Sequence, residues 1–204
     1  MTAQQPVSNW NLPNILTGLR ILLVPVFAWL FITAETEQVI GYRWAAAGVF
    51  IAAIITDKLD GDIARARGLI TNFGKIADPI ADKLLIGAGL ILLSWSGDLP
   101  WWVTIVILVR EIGITLMRFV VIKYGVMPAS KGGKIKTTLQ AAGLILMLLP
   151  LGTIAPWLGT IGFWVMIAAA IVTVLTGLEY IVQAIRLRNS AKHAQHDETS
   201  EVRK

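Results

Sequence analysis

The sequence predicts an all-α integral membrane protein with about six transmembrane helices and a short N-terminal interfacial segment. Of its 204 residues, 55% are hydrophobic and only 15% are charged, whereas a soluble domain carries about 25% charged residues. Long apolar runs recur between Gly18 and Ile185, and each has about the 20 residues that a helix needs to cross a bilayer core. The composition therefore excludes a cytosolic globular domain and an intrinsically disordered chain.

Short polar segments, glycine and proline separate the predicted helices. Pro13 suits the first turn of the first helix, because the N–H that proline lacks would have no helical partner there. Glu35–Glu37 and Ser96–Pro100 are typical of turns between helices. The predicted helices cover residues 14–33, 42–66, 74–94, 100–124, 134–152 and 156–187.

These helices define three segments of the chain. Residues 1–13 form a polar, interfacial N-terminal segment, and residues 14–188 form a transmembrane catalytic domain of about six helices. Residues 189–204 are polar and charged, and we expect this C-terminal tail to be disordered.

The basic residues are distributed unequally between the two sets of loops. One set carries most of the lysines and arginines, whereas the other holds only Arg43 beside three acidic residues. The positive-inside rule therefore predicts a multi-pass protein of the inner (cytoplasmic) membrane, with both termini and the active site facing the cytoplasm. The net charge of +5 follows from this asymmetry, so we predict the lipid bilayer, and no nucleic acid, as a partner. Tryptophans cluster near the predicted outer boundary: Trp44, Trp95, Trp101, Trp102 and Trp157.

Four of the five aspartates within the predicted helices form two pairs near the cytoplasmic ends. Asp57 and Asp60 are three residues apart on the second helix. Asp78 and Asp82 are four residues apart on the third helix, so each pair shares one helix face. At about 1.5 Å of rise per residue, Asp57 lies roughly 22 Å from the outer end of its helix, and the other pair roughly 6–12 Å from the inner end. The two pairs therefore reach the same depth from opposite directions.

Ionised carboxylates at this depth need a compensating charge. Each costs about 2.5–3.5 kcal/mol at the centre of the bilayer, and four at one depth repel one another. Hard divalent cations prefer oxygen ligands and offset such a cluster, and the absence of cysteine excludes thiol chemistry. The four carboxylates therefore predict a site for two divalent cations, Mg²⁺ or Mn²⁺, of the kind that acts on phosphorus.

Small residues and one arginine flank the aspartates. Gly61 and Ala64 would let a ligand approach the second helix closely. Arg65 lies one turn beyond Gly61, where its guanidinium could bind phosphate oxygens through two N–H groups. Gly74 lies one turn before Asp78. Metal ligands, a gap and a phosphate-binding cation together predict phosphoryl transfer.

Other interpretations of the aspartates need no such chemistry. Salt bridges with Lys58, Lys75 and Lys83 would account for the charges structurally. A divalent-cation transporter could use the carboxylates as a transit site, although polar groups would then continue into the outer halves of the helices, which are almost wholly apolar. Asp62 points away from the face of Asp57 and Asp60, so we expect it to be solvated or paired.

The spacing of these residues resembles the defining motif of the CDP-alcohol phosphotransferases, metal-dependent membrane enzymes that exchange the CMP of a CDP-linked lipid for an alcohol. The resemblance implies that the four aspartates bind the metals and that Asp82 is the general base toward the acceptor hydroxyl. It also implies that Thr71, with Asn14 and Thr17, lies near the CDP-lipid. The motif runs Asp57-x-x-Asp60-Gly61-x-x-Ala64-Arg65-x8-Gly74-x-x-x-Asp78-x-x-x-Asp82.

A looser set of motifs is similar to the members of this family that use sn-glycerol 3-phosphate. The set comprises Asn11–Arg20, Arg110–Ile112 with Arg118, and Gly133–Gln140. The implied reaction joins CDP-diacylglycerol and sn-glycerol 3-phosphate to give phosphatidylglycerophosphate and CMP. The shared motif also permits another acceptor, as in cardiolipin, phosphatidylserine or inositol-phosphate lipid synthesis. The family further suggests a homodimer.

An acceptor that is itself a phosphate ester needs its own cationic pocket. Arg118 lies nearer than Arg110 to the cytoplasmic end of the fourth helix, and lysines crowd the following loop. We therefore predict Arg118 and Lys134 as the main acceptor-phosphate ligands, with Arg110 and Lys131 in support. The alternative for Arg110 is a buried ion pair, with a partner other than the adjacent Glu111, because neighbouring helical residues do not face each other.

Overall fold

The structure is a computed structural model that describes residues 11–67, 71–121 and 131–201. The described residues form six α-helices and one short 3₁₀-helix, and they contain no strand. This confirms the all-α fold class. The α-helices are α1 (Leu12–Glu37), α2 (Ile40–Arg67), α3 (Asn72–Trp95), α4 (Trp101–Val121), α5 (Lys131–Leu148) and α6 (Pro156–Glu201), and the 3₁₀-helix is Leu151–Thr153.

The helix ends follow from local side-chain chemistry. The side chain of Asn11 accepts a hydrogen bond from the N–H of Asn14 at the start of α1, and Pro13 lies in its first turn. Thr71 caps α3 in the same way. Helix α5 ends at Leu148 and not at residue 152 as predicted, because a proline disfavours helical geometry in the residue before it and Pro150 therefore stops the helix early.

Three helices are long and apolar enough to cross a membrane among the residues that the structure describes. They are Leu12–Glu37, Ile40–Ala66 and Pro156–Arg188. Helices α3, α4 and α5 carry the charged residues that the sequence assigns to the active site, such as Asp78, Arg110 and Lys134. That these three helices also cross the bilayer, and that both termini face the cytoplasm, stay predictions.

The chain divides into two compact units. The first unit comprises Met1–Trp101 and Ala141–Phe163, and the second comprises Trp102–Gln140 and Trp164–Lys204. In the first unit α1 packs against α2 and α3, and the rings of Phe27 and Phe50 meet at 5.2 Å between centroids. Helices α5 and α6 each contribute to both units. The predicted boundaries of a catalytic domain at residues 14–188 stay a prediction.

Arg43, near the start of α2, joins four segments of the first unit. Its guanidinium pairs with Glu35 of α1 and lies 2.6 Å from Asp98, which follows α3. Its Nε donates to the carbonyl of Leu148 at 3.2 Å, at the end of α5. The guanidinium also lies 4.3 Å from the centroid of the Phe31 ring. Charge and aromatic contacts therefore fasten this end of the first unit.

Helix α6 continues to Glu201, whereas the sequence composition predicts disorder from residue 189. The tail contains neither glycine nor proline before Glu201, and residues such as Ala191 and Lys192 favour helix. Nothing in the local sequence therefore interrupts the backbone hydrogen bonding of the preceding helix.

Gly162 marks a close contact between α6 and α5 that the sequence does not reveal. A Cβ atom at this position would lie 2.9 Å from Cβ of Leu146 and 3.0 Å from Cγ of Met147. A Cβ at Gly159, one turn earlier, would meet no heavy atom within 4 Å. The two helices therefore approach each other closely at Gly162.

We expect Gly162→Ala to lower the Tm of the protein, because overpacking costs about 1–3 kcal/mol, which is roughly 2–4 °C per kcal/mol for a chain of this size. Gly159→Ala is the matched control and should hold or slightly raise the Tm, since alanine favours helix by about 1 kcal/mol over glycine. Thermal unfolding in detergent measures both variants. Equal Tm values for the two would contradict the contact.

Candidate active site

One buried face of α1 carries three polar residues. Asn14, Thr17 and Arg20 recur every three residues and are all buried. Their spacing places them on one side of the helix. Each contacts a residue of α2, of α3 or of the turn between them, so this face of α1 collects the side chains of the aspartate motif.

Arg20 pairs with both aspartates of α2. Its Nη1 donates to Oδ1 of Asp57 and its Nη2 to Oδ2 of Asp60. The side chain of Arg20 is 0% exposed, that of Asp60 is 5% exposed and that of Asp57 is 44% exposed. The salt-bridge interpretation named three lysines as partners, but the cation paired with Asp57 and Asp60 is Arg20. The sequence does contain a signal of this pairing: Arg20 lies within an apolar helix, and an intramembrane cation needs an acidic partner.

Thr17 connects the same face of α1 to α3. Its hydroxyl donates to Oδ1 of Asp78 at 2.6 Å. The charge of Asp78 also acts on both Asp57 and Asp60. Arg20 and Thr17, one turn apart, therefore attach three of the four predicted metal ligands to the same face of α1.

Asn14 fastens the start of α3 to α1. Its Nδ2 donates to Oγ1 of Thr71 at 2.8 Å, and Oγ1 of Thr71 also accepts from the N–H of Gly74 at 3.0 Å. A Cβ atom at Gly74 would lie 2.8 Å from Oδ1 of Asn14 and 3.7 Å from Oδ2 of Asp78. A side chain at residue 74 would therefore force the amide of Asn14 to shift.

The remaining residues of the motif are more open. Asp82, one turn after Asp78, is exposed, while Gly61 and Ala64 are half-buried on α2. Arg65 is exposed and lies 2.8 Å from Asp62, which confirms the paired role expected for Asp62. The charge of Arg65 also acts on Asp57.

The donor chemistry of this cluster fits a hard divalent cation. All its acidic and hydroxyl groups offer oxygen, the donor that Mg²⁺ and Mn²⁺ prefer. Arg20 shows that a positive charge is already accommodated beside Asp57 and Asp60. Among the described residues, no three acidic or histidine side chains converge into one metal-binding group in this arrangement. The residues therefore suit a divalent cation in charge and donor type, and the guanidinium of Arg20 lies between Asp57 and Asp60.

The second unit holds a separate cluster around Arg110. Its Nη1 lies 3.2 Å from Oε1 of the adjacent Glu111, so the expectation that these two residues do not pair is wrong. Their long side chains reach each other although their Cβ atoms diverge. Nη2 of Arg110 also donates to Thr176 at 2.9 Å. A Cβ at Gly177 would lie 3.2 Å from Cγ of Arg110, so that glycine leaves space for the arginine.

Tyr180 of α6 connects both predicted arginines. Its ring centroid lies 5.6 Å from the guanidinium carbon of Arg110 and 4.9 Å from that of Arg118. The hydroxyl of Tyr180 accepts a hydrogen bond from Nη2 of Arg118 at 2.9 Å. The two arginines of α4 therefore share one aromatic neighbour.

The lysines of α5 differ from the sequence-based expectation. Lys134 is exposed, and the side chain of Lys131 lies outside the described residues. Lys136 is 3% exposed and pairs with Glu111. Gln140, one turn further, is also buried, and its Nε2 has no hydrogen-bond partner within the described part of the chain. The polar cluster thus continues from α4 to this side of α5.

The model of the CDP-alcohol phosphatidyltransferase family matches residues 10–175. The chain belongs to the CDP-alcohol phosphatidyltransferase family and is therefore a transferase. This confirms the resemblance drawn from the aspartate motif and sets aside the transporter alternative. Together with the three apolar helices, family membership identifies a membrane protein. Enzymes of the family use divalent metals.

Individual relatives are similar over most of the chain. A "Probable phosphatidylglycerophosphate synthase" of Mycobacterium tuberculosis is 49% identical over 176 residues, which is 86% of this chain and 82% of the relative. The "CDP-diacylglycerol--glycerol-3-phosphate 3-phosphatidyltransferase" of Bacillus subtilis is 39% identical over 84% of this chain and 93% of its own. A protein of the same name from Rickettsia typhi is 39% identical over 83% of this chain and 94% of its own.

We expect Gly74→Ala to lower the rate of CMP release by about tenfold or more. The added methyl group would displace Asn14 from Thr71, and losing hydrogen bonds of about 1 kcal/mol each disturbs the position of Asp78, with each 1.36 kcal/mol amounting to tenfold in rate. Gly18→Ala, on α1 beside Thr17, meets no atom within 4 Å and is the matched control. Unchanged activity in both variants would contradict the expected shift of Asn14.

Proposed function

We propose that this enzyme transfers the phosphatidyl group of CDP-diacylglycerol to sn-glycerol 3-phosphate, giving phosphatidylglycerophosphate and CMP in phospholipid synthesis. Two relatives at 39% identity carry this acceptor in their names, and both are covered almost completely. The observation that carries the proposal is the junction that Arg20 and Thr17 make between the aspartates of α2 and α3. That junction gathers oxygen ligands where the family motif needs them.

Asp57, Asp60, Asp78 and Asp82 are the proposed ligands of two divalent cations, Mg²⁺ or Mn²⁺. When bound, these ions would neutralise the charge of the pyrophosphate and polarise the bond to be broken. The proposed CDP-lipid-binding residues lie around the same aspartates. They are Asn14, Thr17, Gly61, Ala64, Arg65, Thr71 and Gly74.

Asp82 is the proposed general base. It would accept the proton of the acceptor hydroxyl while that oxygen forms a bond to the phosphorus that carries the diacylglycerol. The bond from this phosphorus to the oxygen of CMP breaks, and CMP leaves with the electron pair. The exposure of Asp82 supports this role, because a general base must reach a proton of an incoming substrate.

The acceptor phosphate is proposed to bind Arg110 and Arg118, with Lys131 and Lys134 from α5. The geometry of the second unit favours adding Lys136 and Gln140 to this set. In that cluster Glu111 is the carboxylate that contacts Arg110 and Lys136, so positive charge is in excess. Among the described residues, the buried Nε of Arg110 and Nε2 of Gln140 are donors without a hydrogen-bond partner. A phosphate ester would satisfy both the charge and the donors.

The proposed location is the inner (cytoplasmic) membrane, with the active site open to the cytoplasm, and a homodimer is the proposed assembly. The distribution of basic residues supports the orientation. CDP-diacylglycerol is a lipid, whereas sn-glycerol 3-phosphate is soluble. A site near the end of membrane-spanning helices would therefore admit both substrates.

Purified protein in detergent micelles should release CMP from CDP-diacylglycerol only when Mg²⁺ or Mn²⁺ and an acceptor are present. Release stimulated by sn-glycerol 3-phosphate, and not by inositol phosphate, serine or phosphatidylglycerol, is the expected result. Chromatography of CMP and of the lipid product measures it. Stimulation by a different alcohol would replace the proposed acceptor, and release without any divalent cation would contradict the metal-dependent chemistry.

We expect Arg118→Ala to raise the KM for sn-glycerol 3-phosphate by about 10–100-fold, since a charge-assisted hydrogen bond contributes about 1.5–3 kcal/mol. The KM for CDP-diacylglycerol should change much less, because Arg118 is not among its proposed ligands. Arg186→Ala, an exposed cation on α6 of the same unit, is the control and should leave both KM values unchanged. Equal increases in the two KM values of Arg118→Ala would contradict an acceptor-specific role.

A further inference from the structure

We propose that Arg20 is a built-in counter-cation that neutralises part of the charge of Asp57 and Asp60 and so stabilises the metal-free protein. The inference rests on the proposed metal-dependent function and assigns a task to a side chain outside the ligand set. It follows from the burial of Arg20, from its two partners and from the charge that remains after they are paired.

The burial of Arg20 is possible only because it has two acidic partners. Removing a guanidinium from water costs several kcal/mol unless opposite charges and hydrogen bonds compensate for it. Arg20 is 0% exposed and directs Nη1 and Nη2 to two different carboxylates. Asp57 and Asp60 lie one helical turn apart, and the planar, rigid guanidinium donates to both at once. One oxygen of each carboxylate is thereby fixed in position.

The charges of the cluster leave room for a divalent cation. Asp57, Asp60, Asp78 and Asp82 carry four negative charges when ionised, and Arg20 supplies one positive charge. Negative charge therefore remains in excess, and bound divalent cations would neutralise it. Thr17 contributes a neutral hydroxyl to Asp78 and leaves this balance unchanged. Arg20 therefore compensates part of the charge of the cluster permanently.

A purely structural salt bridge would have a different consequence. Arg43, in the same unit, also pairs with two carboxylates, Glu35 and Asp98, but neither belongs to the aspartate motif. Loss of either arginine removes a partly buried ion pair. Loss of Arg20 alone should also change how strongly a divalent cation stabilises the protein. Arg43 is therefore the matched control.

The experiment measures the Tm of the full chain in detergent, with EDTA and with Mn²⁺, for the wild type and for Arg20→Gln and Arg43→Gln. Both variants should have a lower metal-free Tm than the wild type, with the larger loss in Arg20→Gln, because Arg20 is 0% exposed whereas Asp98, a partner of Arg43, is 44% exposed. The Mn²⁺-induced increase in Tm should be larger in Arg20→Gln than in the wild type. In Arg43→Gln it should equal the wild-type increase.

Arg20→Lys provides a second, milder variant. Lysine keeps the positive charge but lacks the rigid pair of donors, so its Mn²⁺-induced increase should fall between those of the wild type and Arg20→Gln. If Arg20→Gln does not fold, Arg20→Lys alone decides, and an increase no larger than in the wild type overturns the proposal. Equal increases in the wild type, Arg20→Gln and Arg43→Gln overturn it as well.

The CMP assay separates this proposal from the proposed function. Release of CMP by the wild type with Mn²⁺, together with equal Tm increases in all variants, would overturn only the role of Arg20. Failure of the wild type to release CMP with every acceptor would overturn the proposed function, whatever the thermal shifts show.

Discussion

The aspartates of α2 need a positive charge beside them, and Arg20 of α1 supplies it within two helices that are each apolar enough to span a membrane. This pairing determines which face of α1 meets α2. Because Thr17 lies one turn away on that face, the same helix also reaches Asp78 of α3. Three aspartates of the motif are therefore held by one buried face of α1.

Ion pairs connect the helices of the first unit at two levels, one at Arg43 and one at Asp57. The two levels are separated along α2. At about 1.5 Å of rise per residue this separation is roughly 21 Å. The buried rings of Phe27 and Phe50 pack between α1 and α2. Apolar packing alone would let helices slide or rotate, whereas a two-partner arginine at each level fixes their rotation. A transferase of this family needs such rigidity, because its carboxylates must keep a defined separation while substrates exchange.

The second unit has the opposite electrostatic character. Around Tyr180 and Glu111 it contains cations from α4 and α5, together with buried donors that have no partner among the described residues. Acidic oxygens predominate in the aspartate cluster of the first unit, whereas cationic donors predominate in this cluster. The two clusters therefore differ in the sign of the charge that their polar residues carry in excess.

The sequence by itself determined the helical membrane fold, the spacing of the aspartates and the family, because periodicity, composition and fixed intervals are properties of the chain. It also placed Asn14, Thr17 and Thr71 near the site through the resemblance to that family. Only the tertiary structure decided that Arg20 is the partner of Asp57 and Asp60, and that Lys136, not Lys134, is the buried lysine of α5. Which side chains meet depends on how helices that are far apart in sequence are rotated and packed. A local sequence pattern does not specify that packing.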